Sequence, residues 1–488
     1  MAFAVFSALG GLWALAGPVF SVPDEPAHVV YAAAAVRGDL FAPTEGIDTT
    51  VTVPATYATA HTAGRCFIYD GTVPAGCAEL FVPREGSAEV VTTAGRYPPA
   101  YYLYAGSATL ILDGAPAIYL MRLLTVLLCA ALLASALASA WERSSAWPVV
   151  GVVLACTPMV LFFTGAVNPQ GPELAAGIAL WSGALALFRP RGDGDPSAAG
   201  SRPPGRLVAR CLAAAAVLAV IRPLSVLWLL LIVAVTLLAV ATSRSVTGVL
   251  RSRSALAGIL AVGAVVVTTG LWVLARDALR QWERPTDLET SRAALFSISK
   301  LDMELYEMVG VFGWLDTWSP GVVYVIWFGA VGALVALALA LGSRRERLAI
   351  AAVVLVSVVM PVASELSSYR ESAFAWQGRY ILAFSAGLAV LSGSVLAGRL
   401  GPAVTRPLVR GLLVAAGIAQ VVAFVANLNR YVHGVHGFWW IDEPGWAPPL
   451  PAGLLVAAFV ATVAVGVVAL DRATRRQPTT GEVTPAAC

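Results

Sequence analysis

Residues 23–28 read PDEPAH and gather reactive side chains inside an otherwise apolar stretch. Asp24 and Glu25 are adjacent carboxylates, and His28 follows Asp24 by four positions. Pro23 and Pro26 stiffen the backbone around them. A carboxylate held there can take a proton from a hydroxyl as a general base. The same residues could hold a divalent cation, so Asp24 and Glu25 are the candidate ligands if the chain uses a metal. The plainer reading is a helix N-cap at Asp24, with Pro26 at an early helical position. A cap alone does not account for two carboxylates and a histidine where an apolar run ends.

Four further segments carry chemistry-bearing types. RYPPAYYLYAG at 96–106 offers Tyr101 and its neighbours for stacking on a sugar or for a place at headgroup level. TPMVLFFTGAVNPQG at 157–171 is an apolar run that ends in Asn168-Pro169. FGWLDT at 312–317 presents Trp314 and Asp316, and WQGRY at 376–380 presents Arg379 and Tyr380. Arg222 stands alone between two apolar runs. The planar fork of arginine suits phosphate, and the competing role for Arg222 and Arg379 is snorkelling to lipid headgroups.

The elements that must position these residues follow from composition. The chain is 58% hydrophobic and only 12% charged over 488 residues. Soluble domains carry roughly 25% charged residues, so this surface must face lipid. Apolar runs near the length of about 20 residues needed to cross a bilayer lie at 2–20, 118–140, 147–166, 172–188, 207–221, 223–242, 256–275, 320–342, 348–364, 380–397, 408–426 and 450–470. Arg222-Pro223 divides what would otherwise be one overlong run. The expected fold is an all-α polytopic membrane protein of about twelve transmembrane helices. It forms a single domain over 1–470, with a short disordered cytoplasmic tail at 471–488.

Arginine sets the orientation, because short cytoplasmic connections are enriched in it. The connections near 189–210, 243–255, 342–347 and 398–410 and the tail from 471 are arginine-rich, which puts both termini in the cytoplasm. Segment 21–100 carries nine acidic residues against four arginines and is expected outside. So are 276–318 and 429–449. Parity then removes 98–112 from the crossings. That short, tyrosine-rich stretch is expected to lie in the outer interface, within a first outer loop of 21–117 that contains interfacial helices. The ionisable groups gather at this outer face, which argues for a site there and against a channel through the middle.

Lys300 is the only lysine, and no basic run alternates with aromatics, so nucleic acid is not an expected partner. Cys129, Cys156 and Cys211 lie in apolar runs as packing residues, and Cys488 ends the tail. Cys66 and Cys77 share a polar outer loop and are the candidate disulfide. Residues 1–20 lack the basic opening of a signal peptide. The first basic residue is Arg37, and a start upstream of Met1 would supply the missing anchor. The segment 190–206, rich in Gly, Pro and Ser, reads as a flexible inner loop.

The helix followed by PDEPAH, then VNPQG, FGWLDT and QGRY, resembles the domain-of-unknown-function 2142 family of membrane proteins across roughly 1–430. The acidic pair in the first loop and the Pro-Pro-Tyr segment resemble the wider C-type (GT-C) glycosyltransferase superfamily. That resemblance implies a bacterial plasma-membrane enzyme with its active face outside, moving a sugar from a polyprenyl-phosphate donor to a cell-envelope glycan or lipid acceptor. The catalytic acid of the first loop would be Asp24 or Glu25. His28, Arg222 and Arg379 would stabilise the leaving phosphate, and Tyr380, Asn168, Tyr101, Trp314 and Asp316 complete the substrate-binding candidates. Family members more often carry an acidic residue where Gln170 stands, which puts metal dependence in doubt. A transporter or lipid-linked-sugar flippase is the first alternative, although neither an internal repeat nor a midplane site is evident. A non-catalytic partner in envelope assembly is the second.

Overall fold

The computed structural model describes residues 1–142, 145–189, 205–280, 285–437 and 442–475. Most of the expected inner loop at 190–206, and the tail from 476 with Cys488, lie outside the described residues. In chain order, α1 (Ala2–Ala16) leads through Pro18 to α2 (Glu25–Ala35), every residue of which is buried. Strands β1 (Thr44–Glu45) and β2 (Asp48–Pro54) follow, then the short α3 (Ala60–Ala63). Next come β3 (Ser87–Thr92), α4 (Ala100–Gly106) and α5 (Gly114–Trp141). The next run is broken into α6 (Ala146–Ala155) and α7 (Pro158–Thr164), bent by 66° at Cys156-Thr157.

Then follow α8 (Gln170–Phe188), α9 (Gly205–Ile221), α10 (Ser225–Val240), α11 (Ser243–Leu250) and α12 (Arg253–Ala275). Helices α13 (Thr290–Ser299) and α14 (Leu301–Gly310) lead to a two-stranded ladder of β4 (Val311–Phe312) and β5 (Thr317–Trp318). The chain ends with α15 (Gly321–Leu341), α16 (Arg344–Ser372), α17 (Leu382–Ser385), α18 (Gly387–Leu396), α19 (Pro402–His433) and α20 (Ala452–Arg475).

Among the described residues, seven helices are long and apolar enough to cross a membrane, and the bent α6–α7 pair makes an eighth. The apolar runs at α1, α9, α10 and α17–α18 form helices too short to qualify by length. The segment 98–112 forms only α4 and one 3-10 turn, which cannot cross. Large apolar side chains stand exposed on the peripheral helices, such as Leu260 and Leu274 of α12. In a chain this apolar such surface belongs against lipid.

Helix α8 is the axis of the bundle: residues 170–187 are all buried, enclosed by α5, α7, α9, α10, α17 and α18. Its two ends carry different charge clusters. At its C-terminal end Arg189 and Arg399 converge on Glu346 of the α16 capping box. At its N-terminal end, about 28 Å away by helical rise, stand Asn168, Gln170 and Glu173. Close approach to α17 depends on Gly177, where a Cβ would come to 2.5 Å from the Ala383 carbonyl oxygen.

The long first loop, expected outside, contains more than interfacial helices. It holds the antiparallel sheet β1-β2-β3, in which Val51 pairs with Val90 and Thr49 with Thr92. Residues Asp48–Pro54 alternate buried and exposed side chains, so Val51 and Val53 pack inward. The Cys66–Cys77 disulfide is formed in this loop. FGWLDT forms the β4–β5 turn just ahead of α15, with Gly313 at positive φ.

Gly177→Ala is expected to push α17 from α8 and cost about 1–3 kcal/mol through overpacking. The measurement is the thermal midpoint in detergent, and an unchanged midpoint would contradict the close approach.

Candidate functional site

The two carboxylates of PDEPAH do different things. Glu25 is fully buried and bonded on both oxygens. Oε1 accepts Arg122 Nε at 2.8 Å and the Val167 amide at 3.0 Å. Oε2 accepts Arg122 Nη2 at 2.6 Å and the Phe20 amide at 2.9 Å. Arg122 spends its remaining donors on the carbonyls of Ala14, Gly17 and Pro18, where α1 ends. Nothing of Glu25 is left for a ligand.

Asp24 stands at the N-cap position of α2 with φ 64°, yet its side chain makes no capping bond. Its side chain is 51% exposed, and Oδ2 accepts Arg379 Nη2 at 3.3 Å. The left-handed conformation costs a non-glycine residue free energy and turns the carboxylate away from the helix.

Asp24 lines a cavity of about 1060 Å³ together with His28, Arg96, Tyr97, Asn168, Gln170, Arg222, Arg379 and Tyr380. Its wall is completed by residues after α12 and by the C-terminal end of α16, including Asp277, Arg280, Ser364, Arg370 and Glu371. Five arginines thus face three carboxylates. Arg222 sits at the break between α9 and α10, donates to Glu173 Oε2 at 2.6 Å and lies 5.4 Å from the Tyr380 ring centroid. Ser225 donates to the other Glu173 oxygen at 2.6 Å. Arg379 donates to Gln170 Oε1 at 2.9 Å, while Gln170 Nε2 donates back to the Arg379 carbonyl at 2.8 Å. The Arg379 guanidinium lies over Phe163 and Tyr380, 5.2 and 5.1 Å from their centroids. Asn168 holds the turn, donating to the Pro23 carbonyl and accepting the Gln170 amide.

His28 Nδ1 lies 2.9 Å from the Tyr102 hydroxyl. Burial, with Arg222 and Arg379 nearby, pushes the His28 pKa down to about 3 against the opposing pull of Asp24. The ring is therefore neutral at ordinary pH and offers a hydrogen bond, not a positive charge.

Of the residues singled out from sequence, Asp24, His28, Asn168, Arg222, Arg379 and Tyr380 meet in this cavity. Glu25, Tyr101, Trp314 and Asp316 do not line it. Tyr101 bonds Thr125 in the core. Trp314 donates to the Phe20 carbonyl. Asp316 is buried against Arg430, which also donates to the carbonyls of Phe67, Asp70 and Val73 and so docks the disulfide loop. Sequence reasoning passed over Arg122 and Arg96. The signal for Arg122 was a charge inside an apolar run. Arg96 is buried and donates to the carbonyls of Asp277 and Arg280, tying the end of α12 to the first loop.

Among the described residues no group of three or more His, Cys, Asp or Glu is arranged to hold a metal. Asp24 and Glu25 are committed to different arginines and do not act as a paired ligand set.

Helices with lipid-facing apolar surface and a polar cavity at their ends define a multi-spanning α-helical membrane protein. The chain belongs to the family described as predicted membrane protein, DUF2142, which matches residues 8–388. That span includes PDEPAH, VNPQG, FGWLDT and QGRY. No curated protein and no solved structure matches the chain.

Glu25→Gln leaves Arg122 with a buried, uncompensated charge and is expected to cost about 3–5 kcal/mol. Asp24→Asn breaks a half-exposed pair and is expected to cost less than about 1 kcal/mol. Thermal unfolding in detergent measures both, and equal losses would contradict the division. A second expectation concerns pH. Below the ordinary histidine pKa of 6.5 the unfolded chain takes up a proton at His28, which the folded chain refuses until about pH 3. Stability should therefore fall as pH drops through that window. His28→Gln should flatten the slope there, and an unchanged slope would contradict burial of a neutral ring.

Proposed function

We propose that this protein is a membrane-embedded glycosyltransferase of the C-type class, moving a sugar from a polyprenyl-phosphate donor to a cell-envelope glycan or lipid acceptor. The observation that carries the reading is the convergence, in one cavity, of a half-exposed carboxylate without a capping role and two arginines from distant helix ends. Asp24 is the general base. It takes the proton of the acceptor hydroxyl as the acceptor oxygen bonds to the anomeric carbon. The bond from that carbon to the phosphate oxygen breaks, and the phosphate leaves with both electrons. Arg222 and Arg379 hold the charge that develops on it. Attack from the face opposite the phosphate inverts the anomeric centre. His28 and Tyr97 flank the base, and His28 supplies a neutral hydrogen-bonding group.

Gln170 supports this assignment. An acid at that position would add a second carboxylate to Arg379 beside Asp24, whereas the amide orients the guanidinium without adding negative charge. The proposal includes the orientation read from arginine: about twelve crossings, with both termini in the cytoplasm of a bacterial plasma membrane and the cavity on the outer face. The short helices α1, α9, α10 and α17–α18 would complete the count beside the longer spans.

The test is transfer of labelled sugar from polyprenyl-phosphate-linked donors in proteoliposomes. Asp24→Asn should lower the rate by about 10²-fold or more, the range of a lost general base, while the protein stays folded. Arg379→Lys should lower kcat more than it raises KM, because the charge developing on the phosphate loses its planar partner. Wild-type rates in Asp24→Asn would contradict the role of Asp24. Substrate flux without transfer would instead favour a transporter.

A further inference from the structure

Segment 374–378 leads into Arg379 and contributes Ala375 and Trp376 to the cavity wall. It has no secondary structure of its own until the turn at Gly378–Tyr380. What holds it is α14. Lys300, at the start of that helix, donates Nζ to the carbonyls of Phe374 at 3.2 Å and Trp376 at 3.3 Å. The same ammonium pairs with Glu365 of α16. About two turns further along the helix, Glu307 Oε2 accepts the Gly378 amide at 2.5 Å. Gly378 itself lies so close to α14 that a Cβ would collide with the Glu304 carbonyl oxygen. The backbone just before Arg379 is thus held against α14 by three hydrogen bonds and one close approach.

We infer that Lys300 and Glu307 are positioning residues that set the Arg379 guanidinium in the cavity by fastening segment 374–378 to α14. The inference rests on the reading of that cavity as a phosphate site. Neither residue lines the cavity, and each acts through the loop. Arg379 must reach Gln170 and Asp24 at once, from a loop that follows the end of α16. A shift of about an ångström in its backbone would break one of those bonds. The surrounding charges suit a fixed clamp. Glu304 is buried with neither carboxyl oxygen bonded, and burial together with Glu365 and Glu307 raises its pKa to about 8 against the opposing Lys300. At neutral pH it keeps its proton, so Lys300 stays committed to Glu365 and to the loop.

The test uses the full chain in detergent, with farnesyl phosphate as the probe and amide hydrogen exchange of the 373–381 peptide as a second readout. Glu307→Ala and Lys300→Ala should speed exchange in 373–381 while peptides of α8 keep wild-type protection. Each should weaken farnesyl phosphate binding by about tenfold, the scale of one lost hydrogen bond. Glu307→Gln keeps an acceptor oxygen for the Gly378 amide and should restore both readouts. Unchanged exchange and affinity in both alanine variants would overturn the inference. So would a Gln variant as impaired as the Ala variant, or loss of protection in α8 as well. If wild-type protein binds no farnesyl phosphate while exchange in 373–381 still rises in both variants, the clamp stands and the phosphate reading of the cavity falls.

Discussion

The buried pair of Glu25 and Arg122 is the constraint on which the rest of the arrangement depends. A charge in a low-dielectric interior is tolerable only when its partners are complete. Here they are. Glu25 accepts two guanidinium bonds and two backbone amides, while Arg122 closes the carbonyls left open where α1 ends. One side chain from α5 thereby fixes the exit of α1, the entry of α2 and the turn at Val167 that precedes Asn168. These three segments form the floor under Asp24. Without the pair, the carbonyls at the end of α1 would need other donors in surroundings that supply few.

That constraint divides labour between two adjacent acids. Glu25 is bonded on every side, so its neighbour is free to face the cavity. Asp24 is turned there by a left-handed backbone and meets Arg379 from a segment 355 positions away. The cavity is drawn from the first loop, the start of α8, the α9–α10 break and the segment after α16. All of these sit at the end of α8 opposite the Glu346 cluster. The bundle works as a scaffold that brings distant helix ends to one level, where polar groups cost less than in the hydrocarbon interior.

Sequence alone carried much of this. Apolar runs located the helices, and Arg222-Pro223 located the break between α9 and α10 because proline cannot continue the ladder. Asp24, Arg222 and Arg379 stood out because charge is scarce in this chain. The distinction between Asp24 and Glu25 was not legible, since two adjacent acids differ only in which partner the fold delivers, and Arg122 lies 97 positions from Glu25. Asp316 stands out for the same reason as Arg379, and Trp314 through the FGWLDT motif beside it. Their partners, the Phe20 carbonyl and Arg430, are set by tertiary packing. The small sheet is written in the alternation of Thr and Val at 49–53, a period of two too short to register as a long apolar run. Glu304 and Glu307 went unremarked because acids in a polar outer segment read as solvated, whereas both are buried.

The most direct measurement is a cryo-electron microscopy structure of the full chain in a lipid nanodisc with farnesyl phosphate bound. Phosphate density is expected between Arg222 and Arg379, with the Asp24 carboxylate facing the atom that would carry the sugar and Glu25 still closed on Arg122. Phosphate density at another face of the protein, or Glu25 released toward the ligand while Asp24 points away, would contradict it.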